Sequence, residues 1–210
     1  MSNHLIINQV VVFMNYETTE IKSERLIIKK GEVKDFLKVY EYDFNMLKNV
    51  EGVCKLERQD SSKINEWFKG GVKKYYSKIK KAHMFDWIIY LSNLPIGNIL
   101  TGEENFDKKQ IEVSFNIHPN FWGNGYMPEA LTAVIEHLYS IGYESVVCTY
   151  SDGNIKAKRV LDKLGFKPYE IVKDAWESSL GNMIDNYKTI MTKEDWLSKT
   201  GRIINIKDSL

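Results

Sequence analysis

Apolar and polar residues alternate most clearly at residues 111–117, where Ile-Glu-Val-Ser-Phe-Asn-Ile predicts a half-buried β-strand. A different pattern follows, in which apolar residues recur at the spacing of one helical face: Met127, Leu131, Val134, Ile135, Leu138 and Ile141. Pro128 suits the first turn of that helix, because its missing N–H costs nothing there, and Gly142 suits the position after its end. The turn that begins at His118 therefore lies between a strand and a helix.

Shorter apolar stretches predict further strands at residues 25–29, 85–91, 96–100, 145–150, 166–172 and 184–191. Helical spacing recurs at residues 33–47, 63–81 and 154–164. Residues 5–14 predict either an extra strand or a partly ordered leader, residues 103–109 a polar connection, and residues 195–210 a tail whose Trp196 packs back. Because a helix separates the strands at 111–117 and 145–150, the two are predicted to pair in parallel within a β-α-β unit.

Composition excludes several classes of protein. At 210 residues, with 43% apolar and 27% charged residues, the chain suits one globular α/β domain. A net charge of +1 gives no general attraction to nucleic acid or to a membrane. The basic run at Lys73–Lys81 predicts a solvated helix face, with a docking surface for an acidic partner or a ligand phosphate as the alternative. Cys54 and Cys148 are too few for a disulfide framework or a metal cluster. We therefore expect a soluble cytoplasmic protein without a metal, a membrane partner or a nucleic-acid partner.

The glycine pair in the turn predicts an anion site. Without Cβ atoms at Gly123 and Gly125, backbone N–H groups can close on a ligand oxygen, and the start of the helix favours negative charge. A P-loop would need Lys after its last glycine, but Tyr126 follows Gly125, and a dinucleotide fingerprint would need Gly or Ala where Pro128 stands. The turn therefore predicts another kind of phosphate cradle, with a turn that holds no ligand as the alternative.

Three motifs resemble those of one family. The stretch Glu112-Val-Ser-Phe-Asn-Ile-His-Pro-Asn-Phe-Trp-Gly-Asn-Gly-Tyr-Met-Pro-Glu-Ala-Leu131 resembles the acetyl-CoA signature of the GNAT superfamily of N-acetyltransferases, with Asn120 in place of its usual Arg or Gln. Residues 154–166 are similar to the second signature, Asn-x-x-Ser/Ala followed by Leu-Gly-Phe. Residues 23–28 resemble the first strand of the branch that acetylates ribosomal-protein N-termini. The resemblance implies an extension at 1–22, an acetyltransferase domain at 23–197 and a tail at 198–210.

The same resemblance implies a fold and a donor site. The expected fold is a mixed α/β (α+β) sheet of about six to seven strongly twisted strands with helices on both faces. Its central parallel strands would splay apart to admit acetyl-CoA. Pantetheine would lie beside Phe115, Asn116 and Ile117, and Asn154 would contact it from the far side. The pyrophosphate would bind the turn, at Trp122, Gly123, Asn124, Gly125, Tyr126 and Met127. Ala157 and Lys158 would lie near the adenosine.

Catalytic roles are also expected from the resemblance. Glu112 stands where a strand carboxylate often removes the amine proton, although an exposed residue or an anchor for the substrate ammonium is an equal alternative. His118 is expected to make a structural hydrogen bond. Leu161 stands where some members carry a tyrosine that acts as the general acid, so Tyr150, Ser151 or water would have to protonate the leaving thiolate. Cys148 is expected to be a buried strand residue.

The implied function is an acetyl-CoA-dependent N-acetyltransferase that moves acetyl directly from the thioester to a primary amine, without a metal. The acceptor would be a peptide N-terminus or a small-molecule amine, with candidate pocket carboxylates at Glu41, Asp43, Glu103 and Glu104. A catalytically silent CoA-binding sensor or scaffold is the alternative, because Asn120 and Leu161 depart from the family pattern. The sequence leaves monomer and homodimer equally open.

Overall fold

The computed structural model describes residues 18–41, 85–177 and 182–202. The expected strand at 5–14, the helix at 63–81 with its basic run, Cys54 and Asp43 lie outside those residues. The elements, in chain order, are β1 (Ile21–Lys22), β2 (Leu26–Lys29), α1 (Val33–Val39), β3 (Asp86–Leu91), β4 (Leu94–Asn105), β5 (Gln110–Ile117), a 3₁₀ turn (Pro119–Phe121), α2 (Tyr126–Ser140), β6 (Ser145–Ser151), α3 (Ile155–Leu164), β7 (Lys167–Glu177), β8 (Met183–Thr192) and α4 (Lys193–Thr200).

The strands form one eight-stranded sheet in the order β1-β2-β3-β4-β5-β6-β8-β7. Strands β5 and β6 pair in parallel, as the helix between them predicts, and the other neighbours pair antiparallel. The mixed α/β architecture is confirmed, with one strand more than expected because the two-residue β1 adds to one edge.

Helices cover both faces of the sheet, as expected. On one face, Phe36 of α1 packs against Ile88 and Leu100. On the other face, α2, α3 and α4 bury a larger cluster that includes Leu131, Leu161 and Trp196. In β5, Ile111 and Val113 belong to this larger cluster, so the alternating residues Glu112, Ser114 and Asn116 lie on the α1 face.

Two elements differ from the sequence-based expectation. Residues 103–105 were expected in a polar connection, but β4 continues through them after a bulge, because Glu104 pairs with Ile111 and Asn105 with Gln110. Backbone pairing extends the hairpin there without an apolar pattern. The expected tail from residue 195 also begins inside α4, where Thr192 caps the helix by accepting from the Asp195 N–H at 3.1 Å. The expectation that Trp196 packs back is confirmed.

Candidate active site

Strands β5 and β6 separate at the middle of the sheet. Their parallel register ends at the pair Glu112 and Val147, although β5 stays paired with β4 to Ile117 and β6 stays paired with β8 to Ser151. Within the described sheet, the edges at residues 113–117 and 148–151 therefore face each other without a register pair. The predicted splay of the central parallel strands is confirmed. An open strand edge of this kind can accept an extended ligand through backbone hydrogen bonds.

The glycine turn lies at the wide end of this splay. Trp122 Nε1 donates to the Ile117 carbonyl at 2.9 Å, which ties the turn to the end of β5. Gly123 and Gly125 have φ angles of +79° and +77°, and Gly125 is the N-cap of α2. A Cβ at Gly123 would meet no atom within 4 Å, so open space lies beside the turn. The N-terminus of a helix that begins beside open space can hold an anion.

The neighbours of the turn have structural roles. His118 Nδ1 accepts from the Asn120 N–H at 3.2 Å, in agreement with the structural hydrogen bond expected for this residue. Met127 is only 4% exposed and belongs to the core, so its backbone is the part that can face a ligand. Asn124 Nδ2 donates to the Trp122 carbonyl at 3.0 Å. These contacts shape the turn around its open side.

A clamp from the connection between β1 and β2 holds the glycine turn in place. The backbone N–H of Arg25 donates to Glu129 Oε1 at 2.8 Å, its Nε donates to Oε2 at 2.7 Å, and Ser23 Oγ donates to Oε1 at 2.7 Å. Arg25 Nη1 also donates to the Asn124 carbonyl at 3.2 Å, and the guanidinium lies over the Tyr126 ring. Burial alone would raise the pKa of Glu129, but the hydrogen bonds from Ser23 and Arg25 and the guanidinium charge outweigh it and lower the pKa. Glu129 therefore stays ionised and keeps its ion pair at neutral pH.

Lys156, which sequence reasoning missed, connects the turn with α3. Its ammonium lies 3.3 Å from the centroid of the Trp122 ring, and burial lowers the pKa of this lysine. The sequence feature that could have identified Lys156 is its place in the first turn of α3, two residues after Asn154. Arg25 and Glu129 gave no local signal, because about a hundred residues separate them. A cation held over the Trp122 ring beside the turn favours an anionic ligand.

Replacement of Lys156 by Met is expected to weaken acetyl-CoA binding about tenfold, because one charge-assisted contact to a phosphate would be lost. Calorimetric titration measures this change. The control is Lys163→Met, which removes the same charge. Lys163 is an exposed lysine in the last turn of the same helix. Equal weakening by both variants would mean that only the overall charge matters, and would contradict a specific role for Lys156.

The other α3 candidates are arranged around the start of that helix. Asn154 Oδ1 accepts from the Ala157 N–H at 3.1 Å, so this amide caps the helix and leaves Nδ2 as the atom that can donate to a ligand. Lys158 pairs with Asp162 at 2.6 Å along the exposed side of α3. Of the two lysines in this turn, Lys156 is therefore the one that contacts the glycine turn.

Glu112 lies where the splay begins. It is the last β5 residue in register with β6, and Thr149 Oγ1 donates to its Oε1 at 2.9 Å. A Cβ at Gly102 would lie 3.5 Å from the Glu112 Cβ, so Gly102 leaves room beside this side chain. The carboxylate is thus held from β6 on the α1 face, with Oε2 as the oxygen that can accept a proton or bind an ammonium.

Tyr150 lies on the opposite face of β6 from Thr149. Its ring stacks on Tyr187 with 5.3 Å between the centroids. Burial raises the pKa of Tyr150, although the Lys158 charge partly opposes this effect, so the phenol is protonated at neutral pH. Leu161, at the position where some relatives carry a tyrosine, is 1% exposed and belongs to the core. Tyr150 therefore has the chemistry of a proton donor in the splayed part of β6.

The remaining candidates in β6 are occupied or inert. Ser151 Oγ donates to Asn186 Oδ1 at 2.8 Å and accepts from Trp176 Nε1 at 3.1 Å, so its proton is already used. Cys148 is fully buried, and burial raises the pKa of its thiol. The expectation of a buried, unreactive Cys148 is confirmed.

Charged side chains of β4, β7 and β8 act in the same region as Glu112. Lys188 pairs with Glu170 at 3.2 Å, and this hydrogen bond, with smaller contributions from the Glu112 and Glu103 charges, raises the pKa of the lysine. Glu103 is thus the candidate pocket carboxylate whose charge acts in the same region as Glu112. In contrast, Glu104 accepts a hydrogen bond from the Tyr143 hydroxyl.

Within residues 18–41, 85–177 and 182–202, no group of three or more His, Cys, Asp and Glu side chains is arranged to hold a metal ion. No helix in the same part of the chain is long and apolar enough to cross a membrane.

Comparison with known proteins gives consistent matches. The family model of the acetyltransferase (GNAT) domain matches residues 25–167. The uncharacterized N-acetyltransferase YnaD of Bacillus subtilis (strain 168) is 27% identical over 180 residues, which are 84% of this chain and 98% of the relative. Mycobacterium smegmatis RimJ in complex with CoA-disulfide has a TM-score of 0.65 at 14% identity, covering 88% of this chain and 94% of RimJ. The ribosomal-protein-S5-alanine acetyltransferase from Vibrio fischeri has a TM-score of 0.62 at 18% identity, covering 85% of this chain and 98% of the Vibrio fischeri chain.

Proposed function

Because this chain belongs to the acetyltransferase (GNAT) family, we propose that it is an acetyl-CoA-dependent N-acetyltransferase that transfers acetyl directly to a primary amine. The acceptor is a peptide N-terminus or a small-molecule amine. The observation that carries this proposal is the splay between β5 and β6, which opens directly onto the glycine turn at the start of α2. Two similar structures support it, since one holds a CoA-disulfide and the other is named for the alanine of ribosomal protein S5.

Acetyl-CoA would be held by three parts of the chain. The open edge of β5 at Phe115, Asn116 and Ile117 suits pantetheine, which has amide groups that can pair with a strand. The turn from Trp122 to Met127 suits the pyrophosphate, with Lys156 beside it. Asn154 Nδ2 would donate to pantetheine from the α3 side. Asn120 supplies no cation where the family pattern has Arg or Gln, and Lys156 would supply one beside the turn instead.

The two proton transfers would occur on opposite sides of the splay. The amine nitrogen attacks the thioester carbonyl carbon, and its proton passes to Glu112 directly or through water. As the C–N bond forms, the C–S bond breaks and the thiolate takes a proton from the Tyr150 phenol. Glu112 and Tyr150 lie on opposite faces of the sheet, so the amine can enter from the α1 face while the thiol leaves towards α3.

Calorimetric titration with acetyl-CoA, with NADH as the control ligand, tests the donor site. We expect acetyl-CoA to bind and NADH not to bind, because the turn lacks the third small residue of a dinucleotide fingerprint. Release of free CoA thiol in the presence of a panel of amines then tests transfer. Acetyl-CoA binding without transfer to any amine would favour the silent sensor, and no binding by folded protein would refute both functions.

A further inference from the structure

Two side-chain amides on the α1 face of the sheet each have one buried polar atom that makes no hydrogen bond within the part of the chain that the structure describes. Asn98 is 1% exposed, and its Oδ1 has no partner among the described residues. Asn116 is half-buried, and its Nδ2 is a buried atom that also has no partner in this part of the chain. A buried polar atom without a partner normally costs stability, so each of these atoms calls for a physical explanation.

The two amides are direct neighbours across the sheet. Asn98 of β4 is in register with Asn116 of β5, and the side chains of such a pair leave the same face about 5 Å apart. One presents an unpaired acceptor and the other an unpaired donor. Together they match a group that presents one N–H and one carbonyl side by side.

This pair lies beside the part of β5 that is proposed to hold the thioester. Glu112 and Asn116 share the α1 face of β5, and Ser114 between them lies about 7 Å along the strand from each. If the thioester lies beside the backbone of residues 115–117, the amine that attacks it lies next to Asn116, with water between the amine and Glu112, and the residue after the amine meets the two amides. A residue of an extended peptide turns its N–H and its C=O to the same side, as residues in antiparallel strands do.

We propose that Asn98 and Asn116 form an acceptor-binding subsite that recognises the N–H and C=O of the residue after the reacting amine. Asn98 Oδ1 accepts from that N–H, and Asn116 Nδ2 donates to that carbonyl. The inference rests on the proposed function for the identity of the reaction centre. In this subsite the two amides favour acceptors that carry an amide group over amines that carry none.

Three ligands separate the two hydrogen bonds. Ala-Ala-amide offers both groups, alanine ethylamide offers the N–H without the second carbonyl, and isopropylamine offers neither. Binding to CoA-saturated protein is measured by NMR titration, so that no chemical step is needed. Affinity is expected to fall about tenfold at each step, because one buried amide atom stays unpaired each time.

The variant Asn98→Leu is expected to lower the affinity for Ala-Ala-amide and for alanine ethylamide about tenfold and to leave the affinity for isopropylamine unchanged. The control Asn93→Leu makes the same change in the exposed turn before Leu94, and it is expected to alter none of the three affinities. Thermal unfolding and acetyl-CoA titration confirm that each variant is folded.

Several results would overturn this subsite. They are equal binding of the three ligands by the unchanged protein, no binding of any of them, or equal weakening of all three by Asn98→Leu. A higher Tm for Asn98→Leu with unchanged affinities would mean that the amides hold only an internal water or each other. Ligand binding in the expected order without acetyl transfer would support the subsite and contradict the proposed function, so the two failures are distinguishable.

Discussion

Replacement of Glu112 by Gln is expected to lower turnover about 10²- to 10⁴-fold at slightly acidic pH, the range that general-base catalysis usually contributes. The variant keeps the shape of the side chain and can still accept from Thr149 Oγ1, so the geometry at the start of the splay is preserved. An α-amino group loses its own proton near pH 8, so the defect should shrink above that pH. Steady-state kinetics from about pH 6.5 to about pH 9.5, with a peptide amine, measure the profile.

The matched control for this profile is Glu144→Gln. Glu144 is a half-exposed carboxylate just before β6, and its Oε1 lies 4.0 Å from Lys193 Nζ, outside the proposed site. The variant Glu144→Gln removes the same charge as Glu112→Gln and should leave turnover unchanged at every pH. A loss that is uniform across pH and appears in the KM for the amine would instead identify Glu112 as an anchor for the substrate ammonium. Unchanged turnover would remove Glu112 from the mechanism.

The elements around the glycine turn could be predicted from sequence because their determinants are local. Alternation at residues 111–117 and helical spacing from Met127 give the strand and the helix, and the glycines lie where the backbone adopts positive φ. The resemblance to the GNAT family, based on residues 112–131, is confirmed by the family match. The extension of β4 to Asn105 escaped prediction because pairing with β5, not hydrophobic pattern, maintains it.

The contacts of the candidate site depend on strand register, which the sequence pattern does not contain. The hydrogen bond from Thr149 to Glu112 requires β5 and β6 to be in parallel register for three residue pairs and then to diverge. The Arg25–Glu129 clamp joins the residue before β2 to α2, and no periodicity predicts it. Helical position places both Lys156 and Lys158 in the first turn of α3, but only packing decides that Lys156 meets Trp122. The roles assigned to the site residues therefore stay predictions for the measurements described above.

Replacement of Gly123 by Ala is expected to weaken acetyl-CoA binding by about 10- to 100-fold, because a Cβ would occupy the open side of the turn and remove one close backbone contact to a phosphate. Gly123 has a φ of +79°, so alanine also costs stability, by about 1 kcal/mol. Calorimetric titration gives the change in affinity, and thermal unfolding gives the change in stability.

Gly201→Ala separates these two effects, because Gly201 combines the same two properties at the end of α4. Its φ is +64°, and a Cβ there would also meet no atom within 4 Å. Both variants therefore lose a similar amount of folding stability, because alanine is strained in a left-handed backbone, but only Gly123 faces the proposed phosphate site. Equal losses of stability with a loss of affinity confined to Gly123→Ala would assign the open space beside the turn to the ligand. If Gly123→Ala kept its affinity for acetyl-CoA, the glycine at that position would serve the turn itself, and the phosphate would have to bind elsewhere along the splay.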